Sequence, residues 1–405
     1  MHSNNWHEVR IGDLGKVFTG RTPSTSHASY FGQDVPFITP GDMHQGKYAR
    51  KTERSLSQEG ASLLKRITLP ANSVCVSCIG WQMGEVIMTD RPSFSNQQLN
   101  TIVPNDKIDP SFLYYSMLPR KQELLSLGAA TGVRTPILNK SAFCDLKLKL
   151  PPLPVQKKIA GILSAYDDLI ENNQRRIKIL EEMARKLYRE WFVHFRFSGH
   201  EKIPLVDSPL GKIPQGWEVK TIGNLTSYLN RGIAPNYDEN ANSIVINQKC
   251  IRDQRLDTVR GRRHSKSIPN DKLIRYGDVL INSTGEGTLG RVAQVYQNID
   301  NCTVDTHVTI ARPSSAVDFD FFGCALLNLQ ETFERLGLGA TGQTELSRTS
   351  IANIEISIAP SELQECFGKS VMPIRTSAII FAAQNKKLQQ TRDLLLPYLL
   401  LPSNN

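Results

Sequence analysis

Hydrophobic and polar positions repeat with two different periods along this chain. Within residues 151–197, Ile159, Leu163, Tyr166, Ile170, Asn173, Ile177, Leu180, Ala184, Leu187, Trp191 and His194 follow one another at spacings of four and three, the period of a coiled-coil seam. No proline occurs in this stretch after Pro154, and its single glycine is Gly161. The pattern predicts one helix, roughly 60 Å long at about 1.5 Å per residue, that needs a partner helix. Residues 361–400 offer one in the same chain, with Ile374, Phe381, Gln384, Leu388, Thr391, Leu395 and Tyr398 in a similar register. A shift of 211 places Leu163, Ile170, Asn173, Ile177, Ala184 and Leu187 on Ile374, Phe381, Gln384, Leu388, Leu395 and Tyr398. Polar Asn173 then falls on polar Gln384, and a buried polar seam residue fixes register at a cost in stability. Asn385 with Arg392 offers a competing phase, and Pro373 predicts a kink or restart in the second helix.

The rest of the chain reads as short strands separated by Gly, Pro and Asn. Strands are predicted at 35–39, 73–79, 85–89 and 99–103, a helix at 112–127, a turn at 128–132 and an alternating strand at 146–150 that leads into Pro151. The order repeats: strands at 244–246, 278–282, 291–296 and 306–310, a helix at 321–336, a turn at 339–342 and a strand at 354–358. Trp6-His7-Glu8-Val9-Arg10-Ile11-Gly12-Asp13-Leu14 recurs as Trp217-Glu218-Val219-Lys220-Thr221-Ile222-Gly223-Asn224-Leu225 at the same shift of 211, and Thr131-Gly132 recurs as Thr341-Gly342. A large internal repeat therefore sets the plan as module, helix, module, helix. The boundaries are 1–150 and 217–359 for the modules, 151–197 and 360–405 for the helices, and 198–216 for a connector too short to be a domain.

A length of 405 residues allows two to four domains. The net charge of +9 favours a polyanionic partner. Seven scattered cysteines, an odd number, fit a reducing compartment. The N-terminus lacks a basic-then-apolar signal pattern, and no apolar run reaches the ~18 residues of a membrane span. These features predict a cytoplasmic protein with no membrane partner.

Leu150-Pro151-Pro152-Leu153-Pro154-Val155-Gln156 stands before the first helix, and Ser208-Pro209-Leu210-Gly211-Lys212-Ile213-Pro214-Gln215-Gly216-Trp217 before the second module. Together with the half-chain repeat, these segments resemble the specificity subunit of type I restriction-modification enzymes, across almost the whole chain. The resemblance implies an α+β fold: two tandem, strand-rich target-recognition domains of mixed α/β structure, separated by two long antiparallel helices in an intramolecular coiled coil, with a pseudo-two-fold internal repeat. It implies that each domain reads one part of a split asymmetric site in double-stranded DNA. Two methyltransferase (modification) subunits would dock on the chain, and restriction subunits would join that core. The departures are Pro373 and a degenerate second proline box, Ala359-Pro360-Ser361-Glu362-Leu363-Gln364.

Such modules need Lys and Arg for phosphates and Asn, Gln, Arg, Ser or Thr for base edges. The first offers Arg21, Thr22, Lys47, Arg50, Lys51, Arg54, Gln82 and Asn96-Gln97-Gln98. The second offers Arg252, Arg255, Arg260, Arg262, Arg263, His264 and Lys266, followed by Asn282-Ser283-Thr284. Phosphate binding explains this basic run better than base reading does; a solvated charged face is the bland alternative. Asn96 to Gln98 could instead cap a turn. Thr131-Gly132-Val133-Arg134 and Thr341-Gly342-Gln343-Thr344 are candidates for the DNA backbone, or serve only their turns. Trp191, Phe192, Phe195 and Phe197 read as packing at the helix end.

Several motifs carry no chemistry. Gly285-Glu286-Gly287-Thr288-Leu289-Gly290 matches the dinucleotide fingerprint, but the β-like residues 291–296 follow where a helix is required, so a hairpin turn is predicted. Cys75-Val76-Ser77-Cys78 lies in a strand, where residues three apart face opposite sides, and lacks a second ligand pair for zinc. His194 on the seam and His307 in a strand read as structural. No Gly-rich loop ends in Lys-Ser or Lys-Thr. Pro151-Pro152-Leu153 lacks the flanking residues with which an amino-methyltransferase holds a flipped base. No catalytic residue, cofactor or metal is expected, and catalysis is assigned to partner subunits. The rival readings are a fused DNA methyltransferase or nuclease, and a coiled-coil interaction protein without sequence specificity.

Overall fold

Strand pairing follows the repeat. The computed structural model describes residues 6–130, 134–337 and 345–401; the predicted turn residues Thr131, Gly132 and Val133, and Gly339 to Thr344, lie outside the described residues. Contacts divide the chain into unit 1, residues 1–175 with 382–405, and unit 2, residues 176–381.

In unit 1, a four-stranded antiparallel sheet runs Gly15–Thr19, Leu99–Pro104, Val74–Ser77, Val86–Met88 in spatial order. A second sheet runs Phe31–Gly32, Arg54–Leu56, Val35–Ile38, Phe94–Ser95, its last pair parallel. Unit 2 repeats the first order as Thr226–Arg231, Val308–Pro313, Val279–Asn282, Val292–Gln294. It repeats the last three strands of the second as Arg262–His264, Ser243–Ile246, Cys302–Val304, again with a parallel last pair. In each unit the entering and leaving strands pair: His7–Arg10 with Lys147–Leu150, and Glu218–Thr221 with Glu355–Ile358. The connector folds into a hairpin of Leu205–Ser208 and Gly211–Pro214.

The central strands are covered on both faces, so they read as unbroken apolar runs. Val74 and Val76 join one cluster and Cys75 another; Val279 and Ile281 join one and Leu280 another. Cys75 and Cys78 thus face different cores, and burial pushes both thiols up to about 12. Gly285 to Gly290 is a turn between antiparallel strands, with Gly285, Gly287 and Gly290 all at positive φ.

The helix predicted over 112–127 is divided into Pro110–Met117, a 3-10 turn Leu118–Arg120 and Lys121–Ala129. Pro119 interrupts it by removing a backbone donor. Its repeat divides into Phe319–Asn328 and Gln330–Leu336. The first helix of each pair is capped by an aspartate: Asp109 accepts from the Phe112 N–H at 2.9 Å, and Asp318 from the Phe321 N–H at 3.0 Å.

Gln156, the last residue of the first proline box and 1% exposed, links that cap to the long helix Leu153–Tyr188. Its Oε1 accepts from the Asp109 N–H at 2.9 Å and its Nε2 donates to the Pro151 carbonyl at 2.9 Å. Gln364 does the same in unit 2, accepting from the Asp318 N–H at 3.0 Å and donating to the Ala359 carbonyl at 2.7 Å. The second proline box has lost prolines but kept this amide.

The first long helix buries Ile159, Leu163, Ile170 and Asn173 in unit 1 and Ile177 in unit 2, as its period predicts. Beyond them the phase changes. A π turn at Arg189–Val193 adds a residue to the last turn. Tyr188 and Phe192 are buried there, while His194 is exposed rather than on the seam. Phe192 packs edge-on against Phe321 and Phe367, with centroids 4.7 and 5.0 Å apart, and the size of that aromatic cluster sets the local phase.

The second long helix, Ser361–Leu400, differs from expectation twice. It continues through Pro373, because Phe367, Val371 and Arg375 anchor the flanking turns by burial. Its seam takes the competing phase. Asn173 Nδ2 donates to Asn385 Oδ1 at 3.0 Å, and Asn385 Nδ2 donates to the Ile170 carbonyl at 3.2 Å. Arg392 pairs with buried Asp167. Gln384 and Thr391 are exposed, and Tyr398 is 81% exposed. These contacts make the helices antiparallel within unit 1. Tyr188 against Phe367 and Arg176 over Phe381 give the same sense within unit 2.

Removing the linking amide strands a buried N–H and a carbonyl, at about 1–3 kcal/mol for each unsatisfied group. Gln156→Ala and Gln364→Ala should each lower stability by at least that much in urea denaturation; unchanged midpoints for both would show that the link does not stabilise the modules.

Candidate nucleic-acid interface

Unit 1 brings five of the predicted residues together. Gly20 follows the strand Gly15–Thr19 and lies so close to the Asn96 carbonyl that a Cβ would collide with it. That approach lets the Arg21 N–H donate to the Ser95 carbonyl at 2.9 Å and Thr22 Oγ1 donate to Gln97 Oε1 at 2.7 Å. Asn96 is buried and turns the chain: its Oδ1 accepts from the Gln98 N–H at 3.1 Å and its Nδ2 donates to Gln98 Oε1 at 2.9 Å. Arg21 and Gln97 are exposed on this turn. Gln82 is exposed in a loop bounded by Gly80 and Gly84, both at positive φ, beside Trp81, which is 67% exposed. Exposed Arg134 lies two residues before Pro136, whose carbonyl accepts from the Gly80 N–H at 2.9 Å.

The remaining basic candidates of unit 1 divide. Lys47 is 8% exposed and turned inward, donating to Ser111 Oγ at 2.9 Å and Ser164 Oγ at 2.8 Å. Burial holds its ammonium below the usual lysine range. Arg50 pairs with Glu171 of the long helix at 2.5 Å and with Asp90 at 3.6 Å. Lys51 and Arg54 stay exposed, Arg54 stacked over Phe31 at 4.3 Å.

In unit 2, Gly232 approaches the Val304 and Asp305 carbonyls as Gly20 approaches Asn96. Asp305 Oδ1 then accepts from the His307 N–H at 2.9 Å. Asp305-Thr306-His307 is therefore the counterpart of Asn96-Gln97-Gln98, at a shift of 209. Sequence reasoning missed it, although that shift was available as a signal. His307 lies not in a strand but in an exposed turn ahead of Val308–Pro313, with Nδ1 2.6 Å from Thr284 Oγ1. Ser283 is fully buried, its hydroxyl 2.6 Å from Thr309 Oγ1, and Asn282 is buried beside it.

The basic run is divided by strand alternation. Arg262–His264 pairs with Ser243–Ile246, so Arg262 and His264 share one face and Arg263 takes the other. Arg263 Nη1 donates to the Ala241 carbonyl at 2.7 Å, and Lys266 Nζ to the Ala234 carbonyl at 3.1 Å. Arg260 pairs with Asp257 at 2.9 Å. Arg255 forms a fork with Glu181 of the first long helix, its Nε 2.7 Å from Oε1. Arg252 is exposed. Lys249, Arg260 and Arg262 converge with Tyr237 on a cleft of about 410 Å³. Asn247, Gln248, Asp305 and His307 complete its lining.

Among the described residues no group of three or more His, Cys, Asp or Glu could hold a metal ion, and no helix is long and apolar enough to cross a membrane. What the surface offers is exposed cations and amides, the chemistry of phosphates and base edges.

Residues 3–182 match the family model described as the type I restriction modification DNA specificity domain. The chain is 27% identical over 407 residues to the type I restriction enzyme MjaIX specificity subunit of Methanocaldococcus jannaschii, covering 98% of this chain and 92% of that one. It is 37% identical over 175 residues to the type I restriction enzyme HindI specificity subunit of Haemophilus influenzae, covering 42% of this chain and 38% of that one. In fold it is similar to the S subunit of a type I restriction-modification system from M. genitalium, with a TM-score of 0.56 and 17% identity over 100% of this chain and 98% of that one.

His264, within the basic run, is fully buried, with neither ring nitrogen hydrogen-bonded among the described residues, and burial lowers its pKa from 6.5. The folded state resists a proton that the unfolded chain accepts, so stability should fall as pH drops below about 6.5. His264→Leu should reduce the stability difference between pH 8 and pH 5 in urea denaturation; an unchanged difference would show that His264 does not titrate in this way.

Proposed function

From its similarity to type I restriction-modification specificity subunits, we propose that this chain carries no chemistry of its own and works as the DNA-reading scaffold of a methyltransferase and endonuclease complex. It binds a bipartite, asymmetric site in double-stranded DNA, docks two methyltransferase subunits and, through them, restriction subunits. The observation that supports this most directly is the repeated module. The strand order, the aspartate cap and the linking glutamine are kept, while the exposed turn changes from Asn-Gln-Gln at Asn96 to Asp-Thr-His at Asp305. One scaffold carrying two different reading surfaces suits a site of two unlike blocks.

The recognition modules are residues 1–150 and 217–359. In the first, Arg21, Lys51, Arg54 and Arg134 take phosphates, and Thr22, Gln82, Gln97 and Gln98 take base edges, with Asn96 shaping their turn. In the second, Arg252, Arg260, Arg263 and Lys266 take phosphates, and Thr284 lies beside the reading turn with Ser283 supporting it. Lys47, Arg50 and Arg255 act indirectly, by fastening each module to its helix. Phosphate contacts would set register and make binding fall steeply with salt.

Residues 151–197 and 360–405 serve as spacer and docking surface, joined to the second module through 198–216. Val155, Ile162 and Leu169 are exposed at heptad spacing outside the filled seam, and Ile179 and Met183, one helical turn apart, are exposed further on. Exposed apolar positions in register mark a second partner. Such a complex would work in the cytoplasm on the cell's own DNA.

Both long helices contribute to both units, so their length should set the unread gap. Removing the facing heptads 174–180 and 378–384 shortens the pair by about 10 Å, or about three base pairs. Selection from randomised DNA by the chain with its methyltransferase subunit should then return the same two blocks at a changed gap; the same gap would contradict the spacer role.

A further inference from the structure

The cations of the unit 2 cleft, Lys249, Arg260 and Arg262, are not equivalent. Lys249 is a flexible point charge and Arg260 is paired with Asp257, while Arg263 and Lys266, outside the cleft, donate to backbone carbonyls. Arg262 lies over the face of Tyr237, its Cζ 3.5 Å from the ring centroid, and its guanidinium has no hydrogen-bond partner among the described residues. Stacking of this kind immobilises the planar group and leaves its N–H edge free. A phosphate needs a nearby positive charge, whereas paired hydrogen bonds to a base need a guanidinium held in one orientation.

Lys249 and Arg260 can take a phosphate at the cleft, while the neutral amide and imidazole of Gln248 and His307 suit a base. Asp305 is buried at the base of the cleft, where its Oδ1 holds the His307 N–H and its charge disfavours a phosphate above it. The Gln248 amide has no hydrogen-bond partner among the described residues. His307 is oriented through Nδ1 by Thr284, and its Nε2 has no hydrogen-bond partner among the described residues.

We propose that Arg262, held on Tyr237, reads a guanine of the second DNA block through O6 and N7, with Gln248 and His307 taking the neighbouring base pair. This rests on the reading that the second module binds DNA with sequence preference. Arg262 then departs from the phosphate role its place in the basic run suggests, and Tyr237 is the residue that positions it.

The test is selection from randomised DNA by the full chain with its methyltransferase subunit, comparing wild type with R262A, R262K, Y237F and Y237L. Wild type should select a guanine at one position of the second block. R262A and R262K should each lose that preference by about tenfold or more, leaving the first block intact. Y237F should keep the preference and Y237L should relax it. A uniform loss in R262A that R262K restores would assign Arg262 to a phosphate and overturn the proposal. So would a wild-type second block without guanine. A wild-type chain that selects no block at all would overturn the DNA-reading premise itself, and is distinguished by failure at both blocks.

Discussion

Each module is fastened to its helix by one buried side-chain amide, and the arrangement of the rest follows from where that amide sits. Gln156 and Gln364 receive the N–H of the aspartate that caps the module's helix and return a hydrogen bond to the carbonyl at the start of the long helix. A typical hydrogen bond adds only about 1 kcal/mol net, but a buried group without its partner costs more. The amide therefore acts mainly by excluding other orientations of module and helix. Arg50 with Glu171 and Arg255 with Glu181 add partly exposed ties of the same sense, worth less because water and salt screen them.

The helix pair obeys the same logic of polar groups that tolerate one arrangement. An all-apolar seam would permit neighbouring registers at little cost. Asn173 with Asn385, and Asp167 with Arg392, satisfy one another in one register only. Arg375 of the second helix is buried against the module instead, paired with Asp320 and 5.0 Å from the rings of Tyr296 and Phe319. Stability given up to bury these groups is returned as a defined register, which a chain needs if its helices are to measure distance.

Much of this was legible from period and repeat. The first helix, the positions of the central strands and the reading of Gly285 to Gly290 as a turn all follow from local pattern, since alternation and helical spacing report directly on burial. The phase of the second helix did not. Superposing the repeats put Asn173 on Gln384, but the amide that reaches both Asn173 and the Ile170 carbonyl belongs to Asn385, and no intrahelical pattern contains that reach. His307 was misplaced for a related reason: a histidine before a β-rich run looks like strand, and only the Asp305 turn, formed by the approach of Gly232, brings it to the surface. The basic run Arg260 to Lys266 looked uniform as sequence, and strand pairing separates its side chains onto two faces.

The turns at Asn96 and Asp305 share a backbone hydrogen-bond pattern and differ in side chains, as the proposed reading of two unlike blocks of DNA requires. The most direct measurement is genome-wide mapping of methylated bases in cells that carry this chain with its methyltransferase subunit, beside cells lacking only this chain. The account predicts a bipartite motif with a fixed gap that vanishes when the chain is absent. Methylation that persists unchanged without it would contradict the claim that this chain specifies where the complex acts.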